Sequence, residues 1–259
     1  MRPSTVSAAL VAALVGFGST VALVLAAAGA VGATPAQTTS WVLAVSLAKA
    51  AGSALLSWRF RVPMVLAWST PGAALVAATH GLSMAEAAGA FVLAGLLIAT
   101  LGLVRPLGRL VAAIPDAVAA GMLAGVLLPF VLRLPPALAE APLLVAPMAA
   151  AFALVRLRAP APATLAALAT GLLLAYGTGA AQAPAIPGLP ALTLVAPTFD
   201  WGAAIGLAVP LALVTMASQN LPGFATLRAH GYEPPVAPAL ATTGLLSAGA
   251  GLFGAHTVS

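Results

Sequence analysis

Thr70-Pro71-Gly72-Ala73 sits inside an uncharged, apolar stretch and has the residue order of a helix start. Pro71 has no N–H to donate and disfavours helix in the residue before it. Thr70 followed by Pro71 reads as an N-cap and first helical residue. The sequence therefore predicts extended backbone over 64–69 and a helix beginning within two residues of Pro71. Such a half-helix would point its positive end and spare N–H groups at an anionic ligand. A carboxylate beside Ser69 or Thr70 would accept from the N–H groups of Gly72 and Ala73, with Gly72 leaving room for it. A continuous, proline-kinked helix with a packing role is the alternative.

Two further clusters could do chemistry. Ser46, Lys49, Ser53 and Ser57 recur at helical spacing and form one polar stripe on an otherwise apolar helix. A Lys in mid-bilayer costs about 2.5–3.5 kcal/mol on insertion scales, so the stripe must face protein or water. Lys49 then has either a structural or a gating role. Ser218-Gln219-Asn220 precedes Pro222, and two of the three can point inward. They serve either helix–helix hydrogen bonding or a substrate.

The carboxylates read as structural. Ser83-Met84-Ala85-Glu86 has the form of a capping box, and Asp116 follows Pro115 in a first helical turn. Asp200 and Glu233 fall at span ends and Glu140 in a loop. No acidic pair lies in mid-membrane, which argues against a membrane-embedded protease and against an enzyme generally. His80, His230 and His256 lack metal-ligand spacing, and no cofactor is called for.

The elements that position these residues are membrane helices. The 259 residues are 62% hydrophobic and 6% charged, against about 25% charged in soluble proteins. Residues 3–48 and 159–199 carry no Asp, Glu, Lys or Arg. There is no cysteine, hence no disulfide and no thiolate metal site. Hydropathy and turn residues predict nine crossings, over 7–30, 38–57, 63–80, 84–104, 114–132, 143–156, 160–178, 202–227 and 235–252. With the N-terminus inside, the inner segments hold Arg2, Arg59, Arg61, Arg105, Arg109, Arg156, Arg158 and Arg228, and the outer ones only Arg133. That bias predicts a multi-pass protein of a bacterial inner (plasma) membrane with a cytoplasmic N-terminus. The scattered cations do not indicate nucleic acid.

Three stretches carry a resemblance. They are Arg61-Val62-Pro63 through Ala67-Trp68-Ser69-Thr70-Pro71-Gly72-Ala73-Ala74-Leu75; Ile114-Pro115 with Ala120-Gly121-Met122-Leu123-Ala124-Gly125; and Leu213-Val214-Thr215-Met216-Ala217-Ser218-Gln219-Asn220-Leu221-Pro222-Gly223. The chain resembles the benzoate/proton symporter (BenE-type) family, which is similar in fold to uracil and anion transporters. The resemblance implies an all-α integral membrane protein of fourteen spans, in two inverted seven-span repeats, with span 3 a short strand plus half-helix. It implies core-domain spans 1–4 over 1–104, gate-domain spans 5–7 over 105–200, and a second repeat over 201–259 that breaks off as span 10 opens. On that expectation the chain is a fragment.

The resemblance further implies proton-coupled symport of benzoate or a similar aromatic carboxylate. Trp68, Ser69, Thr70, Pro71, Gly72, Ala73, Ser218, Gln219, Asn220, His256 and Thr257 are the implied substrate-binding residues. Lys49 is a gating or charge residue, and a homodimer is compatible with this organisation. Where nucleobase carriers have an acidic residue in span 8, this chain has Ser218-Gln219-Asn220, so the proton-carrying residue is unassigned. A carrier of the same fold for a nucleobase or inorganic anion is the alternative. A non-transporting membrane fragment and a membrane-embedded enzyme are the alternatives from other classes.

Overall fold

The computed structural model describes residues 3–104, 106, 117, 121, 124–125, 128, 131–160, 162–181 and 189–259, with backbone alone for 3–12, 15 and 19. Among these residues every regular element is helical. The elements are α1 (Pro3–Ala30), α2 (Pro35–Phe60), α3 (Thr70–Ala77), α4 (Met84–Leu103), α5 (Leu134–Glu140), α6 (Pro142–Arg156), α7 (Ala163–Gly177), α8 (Trp201–Ala229) and α9 (Val236–Gly251). By length and composition α2, α4 and α8 can each cross a bilayer. The span expected over 114–132, with Asp116 and the small-residue run at 121–125, lies largely outside the described residues. Pro135-Pro136, expected to break the chain, opens the short helix α5, and Glu140 ends that helix rather than lying in a loop.

The chain forms two compact units. One holds residues 1–22 and 128–188; the other holds 23–127 and 189–259. In the first, Gly171 on α7 leaves room for Met148 on α6, whose sulfur would lie 2.8 Å from an added Cβ. The second unit carries every residue discussed below as a site.

Helix starts follow sequence-local rules. Thr34 and Gln37 form a reciprocal capping box ahead of α2, with Pro35 at the first position. Ser83 and Glu86 do the same for α4, as expected. Asp200 caps α8 through the N–H of Ala203 at 3.0 Å. Packing in the second unit rests on close approach of α4 and α9. Gly95 and Gly244 face each other's helix, where an added Cβ would strike the backbone of Gly244, Ala248 or Ala99. Absent side chains let the backbones touch, which is how helices associate without a hydrophobic driving force in lipid.

Helix α8 contains two π-turns, Ala204–Ala208 and Met216–Asn220. Each ends two residues before a proline, Pro210 and Pro222. A proline cannot donate to the carbonyl four residues back, and its ring crowds that carbonyl. The wider turn relieves the clash: Val209 N–H reaches Ala204 O and Leu221 N–H reaches Met216 O, five residues back. Each proline is thus accommodated by a turn that closes five residues back instead of four.

Residues 189–200 form no regular element. Thr193 N–H donates to Ser40 Oγ at 2.9 Å, Val195 N–H to Leu252 O at 2.8 Å and Thr198 N–H to Ala85 O at 2.9 Å. This stretch therefore ties together the ends of α2, α4 and α9.

Candidate functional site

The third expected span is broken. Helix α2 ends on Arg61, which takes the left-handed conformation at φ 55°. The chain bends at Val62, where Met64 N–H reaches Val62 O at 2.8 Å; residues 64–69 then run extended, and α3 begins at Thr70. The expected extended stretch and helix start are both present, but the cap is one residue earlier than predicted. Ser69 is the N-cap: its Oγ accepts from Gly72 N–H at 3.1 Å and its carbonyl from Ala73 N–H at 2.8 Å. The two N–H groups assigned to a carboxylate are therefore already bonded. Pro71, Gly72 and Ala73 are buried, and Thr70 is half-buried.

Side chains alternate along this segment. Val62, Met64, Leu66 and Trp68 are buried, whereas Pro63, Val65 and Ala67 are exposed. Its backbone groups alternate as well, and both edges find partners. On one edge Ala67 and Ser259 exchange two 2.8 Å bonds, Ser69 N–H donates to Thr257 O at 2.9 Å, and Trp68 pairs with Val258 in an isolated antiparallel bridge. The expected short strand is thus a single bridge rather than part of a sheet.

On the other edge α2 supplies side chains in place of a strand. Ser57 Oγ accepts from Met64 N–H at 3.0 Å and donates to Met64 O at 2.9 Å. Ser53 Oγ accepts from Leu66 N–H at 2.8 Å. Lys49 Nζ lies 4.2 Å from the centroid of the Trp68 ring. The spacing explains the stripe. Four helical residues advance about 6.0 Å and two extended residues about 6.6 Å, so 57, 53 and 49 keep step with 64, 66 and 68. An unsatisfied N–H in hydrocarbon costs several kcal/mol, and the serines remove that cost. Ser46 makes no hydrogen bond among the described residues.

The second extended segment, 255–259, follows α9 after a left-handed turn at Gly254 (φ 82°), where Ala255 N–H reaches Ala250 O at 3.0 Å. Val258 N–H donates to Ser247 Oγ on α9 at 2.8 Å, as Leu66 does to Ser53 on α2.

Three buried hydroxyls stand behind the bridge. Thr215 Oγ1 on α8 donates to Ser69 Oγ at 2.9 Å and lies 2.8 Å from Thr257 Oγ1. Its proton is committed to Ser69, so Thr257 is the donor to Thr215. His256 is fully buried. Its Nδ1 accepts from Trp41 Nε1–H at 2.9 Å, which leaves the proton on Nε2 to reach Ser69 O at 3.1 Å. Trp41 packs edge-on to Phe91 at 5.1 Å. His256 and Thr257, implied as substrate ligands, are fully buried in this packing, His256 bonded to Trp41 and Ser69 and Thr257 to Thr215.

A cavity of about 300 Å³ opens on the exposed side of the first extended segment. Its wall includes Pro63, Val65, Ala67, Gln219, Asn220, Phe224 and Ser259. Gln219 and Asn220 are consecutive and both line it, at the end of the π-turn Met216–Asn220. Gln219 Oε1 accepts from Ser259 Oγ at 2.6 Å. Asn220 Nδ2 has only a 3.4 Å contact to Met216 Sδ. Ser218 is not on the wall, and its Oγ is buried without a hydrogen-bond partner among the described residues. The structure thus brings Gln219 and Asn220 together with Ser259, which nothing in its own sequence neighbourhood singles out. Trp68 and Ser69 lie behind the wall. Thr215 was missed because a lone Thr in an apolar helix is unremarkable until its two partners arrive. No group of three or more His, Cys, Asp or Glu able to hold a metal occurs among the described residues.

A family model described as "Benzoate membrane transport protein" matches residues 1–259. The chain is 38% identical over 258 residues to the inner membrane protein YdcO of Escherichia coli (strain K12), an alignment covering 99% of this chain and 66% of that protein. It is 34% identical over 221 residues to the benzoate membrane transport protein of Acinetobacter baylyi (strain ATCC 33305 / BD413 / ADP1), covering 85% of this chain and 56% of that protein. The chain therefore spans less than two-thirds of the length of either relative. No solved structure matches it.

Proposed function

This chain belongs to the benzoate membrane transport protein family, and from that premise we propose that the whole protein is a secondary active transporter carrying benzoate or a similar aromatic carboxylate inward with a proton. The observation that carries the reading is the broken third span beside an amide-bearing cavity. Irregular backbone at membrane depth is tolerated where it is buried in protein or lines a cavity, and here it does both. The cavity is at the lower end of the roughly 300–1,000 Å³ usual for small-molecule sites. Val65, Leu66, Phe224, Leu227 and Ala239 give it an apolar wall for a ring, and Gln219 and Asn220 give it polar groups for a head. That wall favours an aromatic carboxylate over an inorganic anion.

Several features support the wider reading. Trp58 and Trp201, 80% and 83% exposed near the ends of α2 and α8, suit the two interfaces of a bilayer. The arginine distribution supports a cytoplasmic N-terminus. The parallel between Ser53–Leu66 and Ser247–Val258 supports an inverted repeat in which 255–259 opens a second broken span. In this reading the core domain is built on α1–α4 with α8–α9, and Thr70 Oγ1 and N–H stand at the edge of the substrate path.

Uptake of labelled benzoate into vesicles holding the whole protein, with an imposed pH gradient, tests the proposal. Gradient-stimulated uptake is expected. Uptake indifferent to the gradient removes proton coupling, and no uptake removes the substrate.

A further inference from the structure

The contact between Ser259 and Gln219 fixes which end of the glutamine amide faces the cavity. At 2.6 Å the pair is in the range of O–H···O bonds and short for N–H···O, so the partner of Ser259 is the amide oxygen and not the nitrogen. Ser259 has one hydroxyl proton. Its other acceptor, Ala67 O, is 3.4 Å away, at the limit of a hydrogen bond. The proton therefore goes to Gln219 Oε1. The amide Nε2 of Gln219 has no hydrogen-bond partner among the described residues, and Gln219 is half-buried on the cavity wall. Next to it, Asn220 spends its Nδ2 on a weak sulfur contact.

From this we infer that Ser259 is an orientation lock that makes Gln219 a pure donor toward the cavity, and that the lock selects an anionic carboxylate over its neutral carboxamide. The inference rests on the proposed aromatic-carboxylate reading. A carboxylate can only accept, and both its oxygens satisfy N–H groups. A carboxamide of the same shape presents one acceptor and one NH₂ group, and with Gln219 Oε1 held away by Ser259 that NH₂ loses one of the two side-chain amide acceptors on this wall, keeping only Asn220 Oδ1. A carboxylate uses the Gln219 N–H donors fully, whereas the carboxamide must compete for a single amide acceptor. A glutamine free to turn over would accept from the carboxamide and lose this discrimination. Ser259 is held in place for the task by its two backbone bonds to Ala67.

The test compares benzoate with benzamide as competitors of labelled benzoate uptake by the whole protein in liposomes. In the parent, benzamide should compete at least tenfold more weakly than benzoate. Ser259→Ala should narrow that ratio by about tenfold, and Ser259→Thr, which keeps the hydroxyl, should restore it. In a Gln219→Ala background the Ser259→Ala change should move the ratio by less than twofold, because there is no amide left to orient. An unchanged ratio in Ser259→Ala overturns the inference while leaving the transport reading intact. So does an equal effect of Ser259→Ala with and without Gln219, which would mark a general packing role. Absence of benzoate uptake in the parent instead removes the transport reading itself.

Discussion

Ser53 and Leu66 are joined by a 2.8 Å hydrogen bond from the backbone N–H of an extended segment to a hydroxyl on a helix. The helix thereby does the work of a neighbouring strand. Ser57 repeats the arrangement at Met64. Replacing Ser53 with alanine should lower stability by about 1–3 kcal/mol for the orphaned Leu66 N–H, and Ser57→Ala should cost less because Met64 N–H keeps Val62 O at 2.8 Å. The unfolding midpoint in detergent reads this out. A midpoint equal to the parent's would mean the segment finds its partners elsewhere.

Lys49→Met should leave the protein at least as stable as the parent. The lost contact with the Trp68 ring contributes about 0.5–2 kcal/mol. Removing a mid-bilayer ammonium returns about 2.5–3.5 kcal/mol, so relief exceeds loss. The same unfolding measurement decides it. Clear destabilisation would show that the ammonium has a further partner in the whole protein.

Single cysteines are informative because the chain has none of its own. Cysteines at 63, 65 and 67 should react with a water-soluble maleimide, while those at 62, 64 and 66 should stay protected. Val65 is 83% exposed and Leu66 only 6%. A reactivity period near 3.6 residues would contradict the broken span.

Gly72→Val should disturb the cap before it disturbs any ligand. An added Cβ at Gly72 meets Leu211 Cδ1 and Ser69 Oγ, each at 2.7 Å. Destabilisation together with lost benzoate uptake is expected. Gly72→Val with unchanged stability and abolished uptake would instead restore a direct role for Gly72 at the carboxylate.

Local chemistry was readable in the sequence wherever cause and effect lie within a few residues. Ser83 with Glu86 and the break before Pro71 belong to this kind. The polar stripe on α2 was visible, but not its purpose, since only the fold brings Met64 and Leu66 beside Ser57 and Ser53. The cap fell on Ser69 rather than Thr70 because Ser69 also receives Thr215 from 146 residues away. Sequence spacing carries no record of that partner. His256 looked like a ligand by its place in the chain, whereas Trp41, 215 residues off, turns it into a strut. That Gln219 and Asn220 are the two of the three polar residues that share a wall, with Ser218 left out, follows from how α8 packs and not from the spacing alone.

The two π-turns of α8 amount to phase slips in a helical lattice. Each adds a residue without adding a turn, so the faces before and after are offset relative to a simple count along the sequence. Deleting one residue within 216–220 would heal the second slip into ordinary α-helix. The flanks, from Thr215 back and from Leu221 on, would keep their angular register, while Pro222 would again crowd the carbonyl one α-turn back. A single deletion in α8 outside the two π-turns would instead rotate one flank by about 100°, the arc of one residue in a 3.6-residue turn. The π-turns are therefore where this helix can change length by one residue without rotating the faces on either side.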